Sequence, residues 1–249
     1  MPAPFLLLST RPELEATQAE YDSFLSMMEL EPEQLHHIRV DQAPMPPINL
    51  DDYSGVILGG GPFNSTSKNK SELQLRVEGE LSELIREIAA RDFPLFAACY
   101  GIGLIGLALG GLVDQTYGEM PGCITIEITA DGAQDPILEG MPSSFTSIVG
   151  HTEACTVLPD NATVLLRGAA CPVQMYRVGQ NLYVTQFHPE LEAETFAQRL
   201  RIYRENGYYP PEEYQRIVDE AIAADLTVDN RLLLNFRKRY ERSLAAVTS

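Results

Sequence analysis

The chain has 249 residues, enough for one sizeable α/β domain, alone or with a small extension, that buries its core without disulfides or a structural metal. Its 35 acidic residues face 18 basic ones, and the formal net charge of -17 repels phosphate backbones and anionic lipid surfaces. Composition therefore argues against nucleic-acid binding and membrane docking, and it names no substrate.

The cysteines, Cys99, Cys123, Cys155 and Cys171, form no C-x-x-C pair. So few in a chain of this size read as thiols of a reduced, intracellular protein. The apolar run Phe5 to Leu8 lacks a basic leader and is too short for a signal peptide. No later run approaches the roughly 20 apolar residues of a membrane span. The expected location is the cytoplasm.

In chain order, Phe5 to Leu8 reads as a strand buried on both faces. Thr10 and Glu13 form a capping-box pair with Pro12 in the first turn, opening a helix that carries Leu14, Tyr21, Phe24, Leu25 and Met28 on one face. His37 to Asp41 is a candidate second strand, followed by a loop with Pro44, Pro46 and Pro47. His36 and His37 would face opposite ways on a regular strand, and no spacing nearby suggests a zinc site.

Val56 to Leu58 is the next buried strand, ending in Gly59-Gly60-Gly61-Pro62. Ser71 and Gln74 make a second capping box before a helix with Leu73, Val77, Leu81, Leu84, Ile85 and Ile88 on one stripe. Pro94 to Ala98 is again strand-like and runs through Cys99-Tyr100-Gly101 into an apolar helix that stops at Gly110-Gly111. Repeated strand-helix alternation implies a parallel sheet with right-handed crossovers and helices on both faces.

The middle changes character. Ile124, Ile126 and Ile128 alternate within Cys123 to Thr129, as in a half-buried antiparallel strand. Val173 to Val178 and Leu182 to Phe187 flank Gly179-Gln180-Asn181, a hairpin turn. From about Glu194 the pattern is helical, broken at Gly207 and at Pro210-Pro211. Arg237-Lys238-Arg239 and Arg242 form a compact basic cluster late in the last helix, where they complement its dipole.

Sites in open parallel sheets form at the carboxyl ends of the strands. Cys99 falls there, between a buried strand and an apolar helix, with the small residues Ala97 and Gly101 two positions to either side. A nucleophile elbow has that steric requirement, and a helix N-terminus favours a thiolate. The same pattern also describes a buried structural cysteine. Gly101-Ile102-Gly103-Leu104-Ile105-Gly106 matches G-x-G-x-x-G, but it lies some 100 residues into the chain rather than in the first βα unit, and Glu119 reads as part of a Gly/Pro-containing loop rather than the end of the next strand.

Gln186-Phe187-His188-Pro189-Glu190 follows a strong strand. It offers a base for a thiol and, across a proline-fixed bend, a carboxylate to orient that base. Cys123, Cys155 and Cys171 read as buried apolar residues.

These segments together resemble class I glutamine amidotransferases, the family with a Cys-His-Glu triad. Val56 to Pro62 (VILGGGP) is similar to the family's oxyanion-loop segment, usually I-L-S-G-G-P. Ala98 to Gly101 with Leu109-Gly110-Gly111 is similar to the elbow and its helix, and Val184 to Glu190 to the G-x-Q-F-H-P-E block. The resemblance covers roughly residues 4 to 195. It implies a doubly wound, mostly parallel, flavodoxin-like α/β sheet with antiparallel edge strands, spanning residues 1-195, and a helical C-terminal extension, 196-249, packed on it.

The resemblance further implies Cys99 as nucleophile, His188 as general base and acid, Glu190 as its orienter, and the backbone N–H groups of Gly60 and Tyr100 as the oxyanion hole. Gly61, Gly103 and His151 correspond to substrate-binding positions. Ala97 and Gly59 depart from the usual glycine and serine. Gly103 stands where the family carries a glutamine that contacts substrate, which leaves space beside the nucleophile. The implied substrate is glutamine or a γ-glutamyl small molecule, with no cofactor and no metal. No ATP-binding segment for an ammonia acceptor is present, so a synthetase would be a separate chain. The alternatives are a γ-glutamyl peptide or amide hydrolase without ammonia transfer, and a low-activity regulatory or binding subunit.

Overall fold

The computed structural model describes residues 2–205 and 207–242. Its elements are the strands β1 (Phe5–Ser9), β2 (Leu35–Arg39), β3 (Gly55–Leu58), β4 (Leu95–Ala98), β5 (Leu112–Asp114), β6 (Glu119–Ile128), β7 (Ser144–His151), β8 (Ala154–Val157), β9 (Ala162–Gly168), β10 (Met175–Val178) and β11 (Leu182–Thr185). The α-helices are α1 (Leu14–Met27), α2 (Glu72–Arg91), α3 (Tyr100–Ala108), α4 (Ala193–Ile202), α5 (Tyr214–Ala223) and α6 (Arg231–Tyr240). Nine strands form one sheet in the order β2-β1-β3-β4-β11-β10-β9-β6-β7, and β5 pairs with β8 apart from it.

The half running from β2 to β11 is parallel, and the half from β11 to β7 is antiparallel. The mixed sheet agrees with the α/β reading, with its antiparallel strands β10, β9, β6 and β7 gathered at one side. Strand direction follows from the connections. Helical crossovers return β1 and β3 to parallel neighbours, whereas the short turn at Gly179, φ +60, folds β11 back on β10. Asp92 fastens that turn by accepting from the backbone N–H groups of Gln180 (2.9 Å) and Asn181 (3.1 Å).

The period-2 alternation of the buried strands divides the core. Phe5, Leu7, Ile57, Phe96 and Tyr183 face one side with Phe24 and Met28 from the α1 region and Phe236 of α6. Leu6, Leu8, Val56, Leu58, Leu95 and Val184 face the other side with the apolar stripe of α2 and with Ile102 and Ile105 of α3. A third cluster joins Ile148 of β7 to Phe196 and Leu200 of α4 and to Ile217 and Val218 of α5. Phe236 touches Phe5, Phe96 and Tyr183 ring to ring, so α6 closes the central core.

Three local expectations are corrected. Thr10 does not cap α1: its hydroxyl donates to the Gly60 carbonyl (3.1 Å), Glu13 is the N-cap without a side-chain bond, and Pro12 precedes the helix. The tertiary bond takes Thr10 and leaves residues 10–13 as a loop over the sheet end. Ser71 does cap α2, accepting from the Gln74 N–H at 3.1 Å, but the Gln74 side chain turns to Asn64 and Glu78 instead of closing the box. The second strand runs Leu35–Arg39, two residues earlier than read. On it His37 stacks on Tyr21 and His36 meets Tyr53, so the two rings do diverge.

Candidate active site

Four loops at the carboxyl ends of β1, β3, β4 and β11 meet where strand order reverses between β1 and β3, the place that open α/β sheets reserve for ligands. Cys99 sits on the turn from β4 into α3 with φ +50 and ψ -88, a conformation an L-residue adopts only when its surroundings enforce it. Its N–H donates to Thr185 of β11 at 2.8 Å, tying the turn to the next strand. A Cβ on Gly101 would lie 2.5 Å from the Ala97 methyl. That is the tight crossing a nucleophile elbow needs, with the thiol lifted above the strand ends. The glycines of the G-x-G-x-x-G run serve packing here: a Cβ on Gly106 would lie 3.1 Å from both Cys155 Sγ and Val113.

His188 is placed by its own N–H, which donates to Ile148 of β7 at 2.9 Å. Its Nδ1 lies 2.8 Å from Glu190 Oε1. Burial opposes ionisation of the fully buried Glu190 carboxyl, but His188 and Arg199 outweigh it and hold the group down at about 2. An ionised carboxylate only accepts, so Nδ1 carries the proton and Nε2 is left for another partner. For His188, burial pulls the imidazolium's pKa down, while Glu190 and the adjoining Cys99 pull it up more strongly, to about 9. The thiol itself is directed at the Gly150 carbonyl, 3.8 Å away.

Of the two positions expected to form an oxyanion hole, Tyr100 follows Cys99 directly and Gly60 lies against His188. Tyr100 is the first residue of α3, so its N–H has no acceptor within the helix. Gly60 is fixed by the Thr10 bond to its carbonyl, and a Cβ there would lie 2.5 Å from Arg11 Nη2 and 3.0 Å from His188 Cε1. Gly61 is equally confined: a Cβ there would lie 2.4 Å from Thr10 Oγ1 and 3.0 Å from the Tyr100 ring. Only hydrogen in place of a side chain permits this approach.

A cavity of about 230 Å³ opens over these groups, with Gly61, Cys99, Tyr100, His151 and His188 in its wall. Gly103 is not in that wall. A Cβ at Gly103 would lie 2.6 Å from Glu153 Oε1 and 2.7 Å from Ser65 Oγ. Glu153 spends both carboxylate oxygens on the backbone N–H groups of Ser65 (2.7 Å) and Thr66 (2.8 Å). The space read as open beside the nucleophile is therefore filled by a loop clamp.

His151 is buried, with Nε2 2.9 Å from Glu119 and Nδ1 3.0 Å from the Glu153 carbonyl. Glu119, His151 and Cys171 bring ligand-type atoms within 4.8 Å of one another. Those atoms already have protein partners: Gln174 donates to Glu119 at 2.6 Å and the Cys171 thiol to the Val173 carbonyl at 3.4 Å.

Several wall residues have no local signal in the sequence. Arg11 follows β1, Arg199 and Tyr203 lie on or beside α4, and Tyr208 follows Gly207, φ +70. The Tyr208 hydroxyl donates to the Gly150 carbonyl, bringing the segment after α4 over Cys99. Tyr208, in the break of the helical pattern between Gly207 and Pro210-Pro211, thus supplies part of the cavity wall. No helix among the described residues is long and apolar enough to cross a membrane.

Comparison with known proteins agrees with this geometry. The family model for glutamine amidotransferase class-I matches residues 21–202. A glutamine-hydrolyzing GMP synthase of Streptomyces avermitilis is 28% identical over 173 residues, which cover 68% of this chain and 30% of that enzyme. One subunit of a glutamine-hydrolyzing GMP synthase of Methanothrix thermoacetophila is 30% identical over 138 residues, 55% of this chain and 67% of that subunit. The chain spans well under half the length of the full-length synthases it matches. Among solved structures, a glutamine amidotransferase from Thermotoga maritima superposes with TM-score 0.78 at 19% identity, covering 96% of this chain and 98% of its own. One from Methylobacillus flagellatus gives 0.77 at 18% identity, with both chains covered in full. With the family model spanning most of its length, the chain belongs to the class I glutamine amidotransferases.

Proposed function

We propose that the chain hydrolyses the side-chain amide of glutamine, or a γ-glutamyl amide, through a thioester on Cys99. The observation that carries this reading is the positive-φ cysteine on a strand-to-helix turn, adjoining an imidazole whose other nitrogen is held by a buried carboxylate. In the forward step the Cys99 thiol gives its proton to His188 Nε2, the thiolate attacks the amide carbon, a C–S bond forms, and the carbonyl oxygen becomes an oxyanion. The N–H groups of Gly60 and Tyr100 stabilise that charge without reorganising. His188 passes its Nε2 proton to the departing nitrogen as the C–N bond breaks. Water then attacks the thioester, giving its proton back to His188, and the C–S bond breaks to release the glutamyl carboxylate.

Gly61 and His151 bound the substrate in this reading. Gly103 acts indirectly, by admitting the Glu153 clamp. The nitrogen released from glutamine would pass to an acceptor enzyme on another chain, a reading supported by relatives described as single subunits of a GMP synthase.

The test is ammonia release from L-glutamine by the purified chain and by Cys99→Ala, with labelling of Cys99 by a glutamine-like diazoketone. Release and labelling that both vanish in the variant, with unchanged thermal unfolding, are expected. Full activity in Cys99→Ala overturns the mechanism. Absence of labelling in the wild type, even with cell extract added, favours a regulatory subunit.

A further inference from the structure

We infer that Arg11 is a specificity-determining residue that binds a carboxylate on the leaving-group side of the scissile amide, making γ-glutamyl amino acids and peptides better substrates than neutral amides. This rests on the amidase reading above. Three edges of the guanidinium are used differently. Nε donates to Glu20 Oε1 at 3.1 Å, and Nη1 donates to the Tyr203 hydroxyl at 3.1 Å. Those partners are themselves held, Glu20 by the Ser9 hydroxyl at 2.9 Å and Tyr203 by donating to Glu13 at 2.9 Å. The third nitrogen, Nη2, flanks Gly60, and Arg11 lines the catalytic cavity.

The direction of Nη2 identifies the side of the substrate it serves. The point above Gly60 that a Cβ would occupy is shared by Arg11 Nη2 and His188 Cε1. Cε1 neighbours Nε2, the atom that protonates the departing nitrogen. Both side chains line the same cavity, so a group bonded to that nitrogen comes within reach of Arg11. Ammonia from glutamine offers nothing there. An amino acid joined through its α-nitrogen offers a carboxylate one carbon away. A guanidinium suits that planar anion, and one clamped beforehand loses little side-chain freedom on binding it. Burial sharpens the contact, because the side chain is only 4% exposed and the cation is little screened by water.

The test uses the full chain and a matched pair of substrates, γ-glutamylglycine and γ-glutamylglycinamide, which differ only in the carboxylate, with L-glutamine alongside. The wild type is expected to show a kcat/KM at least tenfold higher for γ-glutamylglycine than for the amide. Arg11→Gln should reduce that ratio to near one, and Arg11→Lys, which keeps the charge, should leave an intermediate ratio. Removing a partner of buried Glu20 can unfold the chain, so the wild-type ratio stands as a measurement that needs no variant. Equal rates on the matched pair in the wild type, with glutamine hydrolysed, overturn the role of Arg11 and leave the amidase reading standing. A ratio that survives in folded Arg11→Gln also overturns it. No turnover of any of the three substrates overturns both.

Discussion

Arg199 Nη1 donates to Glu190 Oε1 at 3.2 Å, the same oxygen that holds His188, while Glu190 Oε2 has no hydrogen-bond partner among the described residues. One carboxylate oxygen thus serves two cations, and the guanidinium lies 3.1 Å from His188 Nδ1. Glu190 raises the affinity of His188 for its proton, and Arg199 works against it.

This opposition sets the pH dependence of turnover. In the proposed reaction imidazolium at His188 protonates the leaving nitrogen, so kcat/KM should fall on an alkaline limb near pH 9. Glu190→Gln should move the limb down by at least about one pH unit and cost about 10²- to 10⁴-fold in kcat. Arg199→Met should move it up, and Arg199→Lys should leave it near the wild-type position. A kcat/KM profile from pH 6 to 10.5 decides this; shifts of the same sign in Glu190→Gln and Arg199→Met refute the arrangement. Stability should follow the same groups. The His188 contribution is complete below about pH 6.5 and fades as pH rises through about 9. That of Glu190 is present above about 4.5 and is lost as pH falls through about 2.

Two glycines should respond oppositely to the same substitution. Gly101→Ala puts a methyl 2.5 Å from Ala97, so it should cost about 1–3 kcal/mol and most of the activity. Gly79, within α2, meets nothing within 4 Å of an added Cβ. Gly79→Ala should stabilise the chain by about 0.5–1 kcal/mol with kcat unchanged. Urea unfolding and glutaminase assays on both variants check the contrast.

Restoring the family's glutamine at Gly103 should fail by itself. Gly103→Gln runs into Glu153 and Ser65 and should destabilise by about 1–3 kcal/mol. Combined with Glu153→Ala it should be better tolerated than the sum of the single changes predicts. A double-mutant cycle on unfolding free energy measures the coupling, and strict additivity counts against shared space.

Asp229 is buried at the start of α6, where its Oδ2 accepts from Ser147 at 2.5 Å and its Oδ1 has no partner among the described residues. Burial is the largest cause raising its carboxyl to about 8, with nearby Glu190 adding to it. The folded chain therefore holds a proton that the unfolded chain releases. The resulting stability is complete below about pH 3.8 and declines as pH rises through about 8. Asp229→Asn should remove that decline, so its Tm advantage over the wild type should widen from pH 6 to pH 9. A constant difference across that range tells against a protonated Asp229.

Local pattern was enough wherever a residue's role is set by its chain neighbours. Apolar runs at residues 5–8, 56–58 and 95–98 are strands because only a doubly buried strand accepts such continuity in so few residues. The glycine triplet and the small residues around Cys99 were legible because close backbone approach leaves its mark on composition. The Thr10–Glu13 capping box misled, since a hydroxyl that caps a helix can equally bond a carbonyl 50 residues away.

The sequence by itself determined the α/β alternation, the elbow at Cys99 and the His188–Glu190 pair, because each depends on spacings of a few residues that backbone geometry translates directly into position. Only the tertiary structure decided what surrounds them. Arg11 and Tyr203 meet across 192 residues, Glu153 reaches Ser65 across 88, and Tyr208 covers Gly150 across 58. Such contacts carry no periodicity, because the sheet order that brings distant strand ends together is set by packing of the whole core. The elbow at Cys99 was written locally; the shape and charge of the cavity above it were not.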